Sequence, residues 1–253
     1  MKAMIKYKTP EEIETMRECG LRLRRATTKL LPLIHAGMTT DEVDKHAKRL
    51  IEEEGAETSF TRVPGYHWTT CVPVNEQVVH TPPGKRTLKK GDILTIDCGA
   101  YFRGYHTDWA TTLMIDQKPT GEIAAFLDTG RQALTEAIAV VKAGNRLGDI
   151  AQVIQDRIYG KGYFIMKQLT GHGIGKDLHE DPYVLNYVDR PKEKTLKMKP
   201  GLVIAVEVIY SMGTEEIAYE KGEDWSIVTA DGSLSACYEH TLAITDKNTV
   251  ILT

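Results

Sequence analysis

The chain has 253 residues, 35 acidic and 32 basic, with a formal net charge of −3, a sequence pI near 6.3, 42% hydrophobic and 26% charged residues. That is an ordinary globular composition, long enough for a core that needs no staples. The near-neutral balance argues against a nucleic-acid binder working by bulk basic charge, and the scattered Cys19, Cys71, Cys98 and Cys237 argue against a disulfide framework or a structural zinc site. The opening MKAMIKYKTPEEIE lacks the apolar core of a secretory signal, and no run reaches the roughly eighteen apolar residues of a membrane span. The expectation is a reduced, cytoplasmic protein with no membrane partner.

Thr9-Pro10-Glu11-Glu12 combines an N-cap, a proline at the first helical position and a Thr-x-x-Glu capping box, and predicts a helix to about Leu33. A second box, Thr39 to Glu42, opens a helix through Ala47 and Leu50 that Gly55 should stop in a left-handed conformation. Strand-like runs follow at 68–74, 92–97 and 109–115, then helices at 121–142 and 147–160, then strands at 202–210, 225–229 and 236–244. This is an α/β, or α+β, pattern. No linker or low-complexity tract divides it, so one domain over residues 1–253 is expected.

An internal repeat is visible. Ala36-Gly37, a helix and Gly55 are echoed 107 residues later by Ala143-Gly144, a helix and Gly162. LKKGDILTIDCG at 88–99 is echoed by LKMKPGLVIAVEV at 196–208, so that Gly91 matches Gly201 and Asp97 matches Glu207. The halves run roughly 1–120 and 121–253. Two copies facing each other across a pseudo-two-fold axis would bring both carboxylates to the centre, where a metal site could form.

Buried carboxylates are costly unless paired or metal-bound, so acids inside apolar strands call for an explanation. Asp97 ends DILTID, Asp108 opens DWATTLMI, Glu207 sits inside LVIAVEVIY and Glu239 inside SACYEHTLAIT. Asp108 alone, at a strand start after Gly104, would also fit a solvent-facing edge. Glu207, between Val206 and Val208, would not, because both faces of its strand look buried. GHGIGKDLHEDP adds His172 and His179, with glycines that let backbone pass close to something. A phosphate loop fits poorly, since Gly175-Lys176 is followed by Asp177. Taken singly, His179 and His80 would pass for ordinary histidines. Four carboxylates and an imidazole exceed what one divalent ion can use, whereas two ions would cancel the charge and share bridging carboxylates, as in dinuclear metallohydrolases.

His179-Glu180-Asp181 after GHGIGKDL, Asp97 and Asp108 eleven apart, Glu207 in VIAVE and Glu239 in SLSACYEHT together resemble the methionine aminopeptidases of the pita-bread fold, in their short bacterial type I form. The likeness runs from the first helix to about Thr245. It implies two pseudo-symmetric halves with a central curved antiparallel sheet backed by helices. It also implies that Asp97, Asp108, His172, Glu207 and Glu239 bind two divalent ions (cobalt, manganese, iron or zinc), with Asp108 and Glu239 bridging. In such enzymes a dimetal-bridging hydroxide removes the N-terminal methionine, Glu207 matching the proton shuttle, His179 the oxyanion donor and His80 the histidine that contacts the scissile amide.

Tyr66, Cys71 and Trp225 fall where the family places its methionine pocket, although core packing would also account for Cys71. Phe60, Val63 and Leu178 depart from a Cys, a Tyr and a Phe of well-known members; Val208 replaces a Pro, and His80-Thr81-Pro82-Pro83 replaces His-Gly-Ile-Pro. The implied substrates are nascent polypeptide N-termini, with ribosome association left open, no nucleic-acid specificity and a monomeric state. Two rivals remain. Xaa-Pro aminopeptidases or prolidases carry an Arg near the last motif Glu and an N-terminal domain, and a catalytically dead pita-bread binding module would have lost ligands.

Overall fold

The computed structural model describes residues 4–253. Both capping boxes close: Thr9 and Thr39 accept from the backbone N–H of Glu12 and Glu42, whose carboxylates accept from the caps in return. They open α1 (Pro10–Leu30) and α2 (Thr40–Glu53); α1 stops short of Leu33 because a 3₁₀ turn takes over at Leu31–Leu33. The second half supplies α3 (Gly121–Val140) and α4 (Leu147–Gly160). Among the described residues, no helix is long and apolar enough to cross a membrane.

The strands are β1 (Glu57–Thr58), β2 (Thr70–Cys71), β3 (Gln77–Val79), β4 (Ile93–Phe102), β5 (Tyr105–Met114), β6 (Phe164–Ile165), β7 (Gly171–Gly173), β8 (Glu180–Val184), β9 (Val203–Ser211), β10 (Ile217–Tyr219), β11 (Ile227–Thr229), β12 (Ser235–Ile244) and β13 (Thr249–Ile251). The main sheet runs β1-β4-β5-β12-β9-β7-β8, antiparallel throughout, with β2 on β4, β6 on β9 and β13 on β12. A smaller sheet, β10-β11-β3, lies beside it. Two expectations need correction. Asp97 does not end its strand and Asp108 does not open one: β4 and β5 form a single long hairpin, turned by Arg103-Gly104 with φ of 47° and 90°, and both acids lie inside it. The run at 68–74 contributes only the two residues of β2.

The repeat is structural. Gly37 and Gly144 have φ of 96° and 95°, Gly91 and Gly201 91° and 89°. Their backbone partners also correspond: Gly37 N–H donates to Leu88 at 2.8 Å and Gly144 N–H to Met198 at 3.0 Å, while Gly91 donates to Ile115 and Gly201 to Ile244 at 2.9 and 2.8 Å. The halves meet between β5 and β12, the middle of the sheet order.

Strand alternation assigns each half its own core. Leu94, Ile96, Cys98 and Ala100 of β4 pack with Leu23, Ala26 and Leu30 of α1 and Val43, Ala47 and Leu50 of α2. Ile204, Val206, Val208 and Tyr210 of β9 pack with Phe126, Leu127 and Leu134 of α3 and Ile150, Ile154 and Ile158 of α4. The side chains of Asp97 and Glu207, one step out of phase, are thereby sent to the opposite face.

Gly130 marks how closely α3 approaches the sheet. Its N–H donates to the Tyr210 hydroxyl at 3.1 Å, and that hydroxyl donates to the Phe126 carbonyl at 2.5 Å. A Cβ at Gly130 would lie 2.6 Å from the Tyr210 ring and hydroxyl. Ala exceeds Gly in helix propensity by up to about 1 kcal/mol, but overpacking a fully buried ring costs about 1–3 kcal/mol. Gly130→Ala is therefore expected to lower the thermal midpoint, and a midpoint at or above wild type would show that Tyr210 yields.

Candidate active site

Five of the predicted side chains come together on one face of the sheet. Asp97 on β4 is paired with Ala110 of β5, Ala110 with Glu239 of β12, and Glu239 with Glu207 of β9. Asp108 lies opposite Gly99, two residues from Asp97; His172 on β7 lies opposite Ala205, two residues from Glu207. Directly opposed residues share a face, and so do residues two apart, so this register alone puts all five side chains on one side. Asp108, His172 and Glu239 are buried, each with a ligand-capable atom, all within 4.8 Å of one another. Asp97 and Glu207 are half-buried.

Two threonines hold the seam where these strands meet. Thr241 of β12 accepts from the Asp108 N–H at 2.8 Å and donates to the Asp108 carbonyl at 2.9 Å. Thr112 of β5 does the same for Cys237, accepting at 2.9 Å and donating at 2.8 Å. The stitch is symmetric and begins matching segments, Thr112-Leu113-Met114-Ile115 and Thr241-Leu242-Ala243-Ile244. The regular β5–β12 pairing covers only Glu239 with Ala110 and His240 with Trp109. Sequence reasoning missed both threonines, although the repeated Thr-Leu-x-Ile was there to be read.

Above the carboxylates is a cavity of about 120 Å³. Its walls include His80, His179, Tyr66, Cys71 and Trp225, every remaining predicted site residue, and also Phe60, Val63 and Leu178. Val79 lines it as well and was not foreseen. Tyr66 packs edge-on against Phe60, Trp68 and Trp225, with centroids 6.3, 5.2 and 5.3 Å away, and its hydroxyl meets the Thr70 carbonyl at 2.8 Å and the Cys71 thiol at 3.2 Å. Asp44 of α2 accepts from Thr69 N–H, Thr70 N–H and the Thr70 hydroxyl at 2.8–2.9 Å, fixing the wall that carries Cys71. The rings of His172 and His179 meet edge to face at 4.5 Å, with His179 and His80 exposed at the rim. His80 holds a left-handed backbone, φ 57°.

The electrostatics point to a missing positive charge. His172 Nδ1 lies 2.8 Å from the Gly173 carbonyl, which can only accept, so the ring proton sits on Nδ1. Burial pushes the His172 pKa down to about 3, leaving a neutral ring whose bare Nε2 faces Asp108 Oδ2 and Glu207 Oε1, each at 4.0 Å. Burial likewise raises Asp108 to about 7 and, with the Asp108 charge, Glu207 to about 8; Asp97 and Glu239 are driven upward by burial and by the neighbouring acids. Among the described residues, no lysine or arginine pairs with any of the four, and buried Asp97 Oδ1 and Glu239 Oε1 have no hydrogen-bond partner. Hard carboxylate oxygens with one neutral imidazole are a donor set for first-row divalent metals.

The sequence model of metallopeptidase family M24 matches residues 14–246. The chain belongs to that family. It is 38% identical over 254 aligned positions to methionine aminopeptidase 1 of Bacillus subtilis, covering 99% of each chain. Among solved structures it is similar to methionine aminopeptidase from Thermotoga maritima, with a TM-score of 0.93, 33% identity and 99% of both chains covered. The prolidase of Pyrococcus furiosus, at 21% identity and TM-score 0.75, shares the fold alone; 98% of this chain covers 65% of that one. The architecture of this M24 chain is thus the pita-bread fold that the resemblance implied, and the donor set fits a metallopeptidase.

Acids with raised native pKa values bind more protons folded than unfolded, so their contribution to stability is complete below about pH 4 and is lost as pH rises through the native values. The depressed histidine acts in the opposite direction, but only below its unfolded value near 6.5. Between about pH 7 and 9 the acids set the sign together with the cysteine thiols, which burial also pushes up and which act in the same direction. Chelator-treated protein should therefore lose thermal stability across that window, and the increment from added manganese should grow with pH. An increment independent of pH would mean that the ions do not neutralise these acids.

Proposed function

We propose that the chain is a methionine aminopeptidase acting as a single domain, a cytoplasmic monomer that removes methionine from the N-termini of nascent polypeptides. The observation that carries this reading is the neutral His172 aimed at acids that no cationic side chain among the described residues pairs with, beneath a small, aromatic-walled cavity, in a chain 38% identical to a methionine aminopeptidase over nearly its full length. Asp97, Asp108, His172, Glu207 and Glu239 would hold two divalent ions, with Asp108 and Glu239 shared. Bound there, manganese, iron, cobalt or zinc would supply Lewis acidity and a water of lowered pKa.

The protein's own groups would do the rest. Glu207, whose carboxylate lines the cavity, would take the proton released by the attacking water and deliver it to the leaving amine. Partial desolvation at the rim moves the His179 pKa down from the ordinary histidine value, which favours the neutral ring, and this ring can donate one N–H to the oxyanion that develops on the carbonyl. His80, on the facing rim, is placed to contact the amide being cut. Phe60, Val63, Tyr66, Cys71, Leu178 and Trp225 close round an unbranched thioether and exclude water.

Release of the first residue from Met-Ala-Ser, Leu-Ala-Ser and Ala-Pro-Ala, by chelated protein with and without manganese or cobalt, tests the reading. Metal-dependent release of methionine is expected, and release from Ala-Pro-Ala would move the chain to the proline-specific branch. Loss of one oxyanion donor costs about 10²–10³ in rate, so His179→Ala should lower kcat by about that factor with the metal content retained. Loss of metal from that variant would make His179 a ligand instead.

A further inference from the structure

The segment before α1 grips the loop that leads from His172 on β7 to His179. Lys8 Nζ donates to Glu180 Oε2 at 2.7 Å, with side chains 5% and 1% exposed. The other oxygen, Oε1, accepts from the N–H groups of Lys176 and Asp177 at 3.0 and 3.3 Å, folding the loop back on the carboxylate of the residue next to His179. Lys6 Nζ reaches Asp177 Oδ2 at 2.6 Å, and the Met4 N–H reaches Asp181 Oδ2 at 3.0 Å.

The lysine is itself held firmly. Its N–H donates to the Gly201 carbonyl at 2.7 Å, just ahead of β9, and the next residue is the N-cap of α1. Its stem passes so close to Gly175 that a Cβ there would lie 2.5 Å from Lys8 Cε. Gly175 in turn accepts from the His106 N–H of β5 at 2.8 Å. The loop is pinned from the start of α1, from β5 and from the approach to β9, and Lys8 supplies the buried positive charge that meets Glu180. Without it, the buried Glu180 carboxylate would keep only the half-exposed Lys6, 3.6 Å from Oε1, as counter-charge, a deficit that a loop relieves by turning outward.

We infer that Lys8 is a positioning residue for His179, acting through the Glu180 carboxylate to hold the His179 ring at the cavity rim. The inference rests on the aminopeptidase reading for its catalytic consequence, but its geometry stands apart from turnover. A shift of about 1 Å in a catalytic group can cost about 100-fold, whereas groups that contact only the methionyl side chain would be unaffected.

The full-length chain is used, metal-free for spectra and manganese-loaded for turnover. In ¹⁵N spectra of the histidine rings, Lys8→Met is expected to move the His179 resonances and leave those of His46 on α2 in place. On Met-Ala-Ser it should lower kcat at least about tenfold while KM changes by less than about threefold. In a His179→Ala background the same substitution should lower kcat no further, which a general loss of folding would not reproduce. Unmoved His179 resonances, or an undiminished kcat loss in that background, would overturn the proposal. Should Lys8→Met fail to fold, Glu180→Gln, which keeps the shape and removes the charge, gives the same readings. An inactive wild type with the ring shift intact would overturn the aminopeptidase reading and support the clamp; an active wild type with an unmoved ring would overturn the clamp alone.

Discussion

Four carboxyl groups and a neutral imidazole share one patch of sheet with no cationic side chain among the described residues to balance them, and the rest of the molecule is arranged around holding them there. Removing ionised carboxylates from water is costly, and each raises the pKa of the next. The strands could relieve this by protonating the acids or by turning them outward. Their opposite faces prevent the second course: Leu94, Ile96 and Cys98 on one side of the axis, and Val206, Val208 and Tyr210 on the other, are locked into helix-backed cores. Slipping any strand by one residue would bring its acids into those cores. The apolar faces thus dictate where the polar ones point, and divalent cations are the remaining way to settle the charge near neutral pH.

The pseudo-two-fold axis explains the site's position, and its breakdown explains the site's asymmetry. Asp97 and Glu207 are related by the repeat and stand symmetrically about the seam. The seam threonines place Asp108 opposite Cys237 in the scheme, and the strand pairings place Glu239 opposite Ala110. Two of the acids therefore have no counterpart in the other half. Outside them, β2 presents the Cys71 thiol beside Asp97, while β7 presents His172 beside Glu207. At these places the first half supplies a thiol and the second an imidazole, so a duplicated scaffold yields two unlike flanks.

Much of this was legible because it rests on local chemistry. The capping boxes place α1 and α2 to within a few residues, and the match of Asp97 with Glu207 carries the pairing of halves in the sequence itself. The β4–β5 hairpin was harder to read because its turn is Arg103-Gly104, without the Asn or Asp that marks such turns. β7 went unseen because Gly171-His172-Gly173 has no β-branched residue, its pairing being set by partners in β8 and β9. The expectation that both faces of β9 are buried held: Val203, Ala205 and Ile209 are buried on the Glu207 side as well, and that face also carries the site. Lys8 and Glu180 lie 172 residues apart, and no spacing rule connects them.

The rim is built differently from the floor. His80 is a non-glycine residue at φ 57°, a conformation that costs about 1–3 kcal/mol and persists only where neighbours over-determine it. Val79 is paired with Ile227 in the small sheet, the Thr81 carbonyl accepts from the Val72 N–H at 3.0 Å, and the Thr81 and Ser226 hydroxyls meet at 2.8 Å. Ser226 donates to Glu220 Oε2 at 2.6 Å, so it must accept from Thr81, and the same carboxylate oxygen accepts from Gln77 Nε2 at 2.7 Å. Trp225 precedes Ser226 directly. His80 and the Trp225 indole, both on the cavity wall, are thus braced through one short hydrogen-bonded chain. A side chain entering the cavity that displaced Trp225 would disturb the residues that keep His80 in its strained conformation, so the aromatic wall and the His80 rim are coupled through the small sheet.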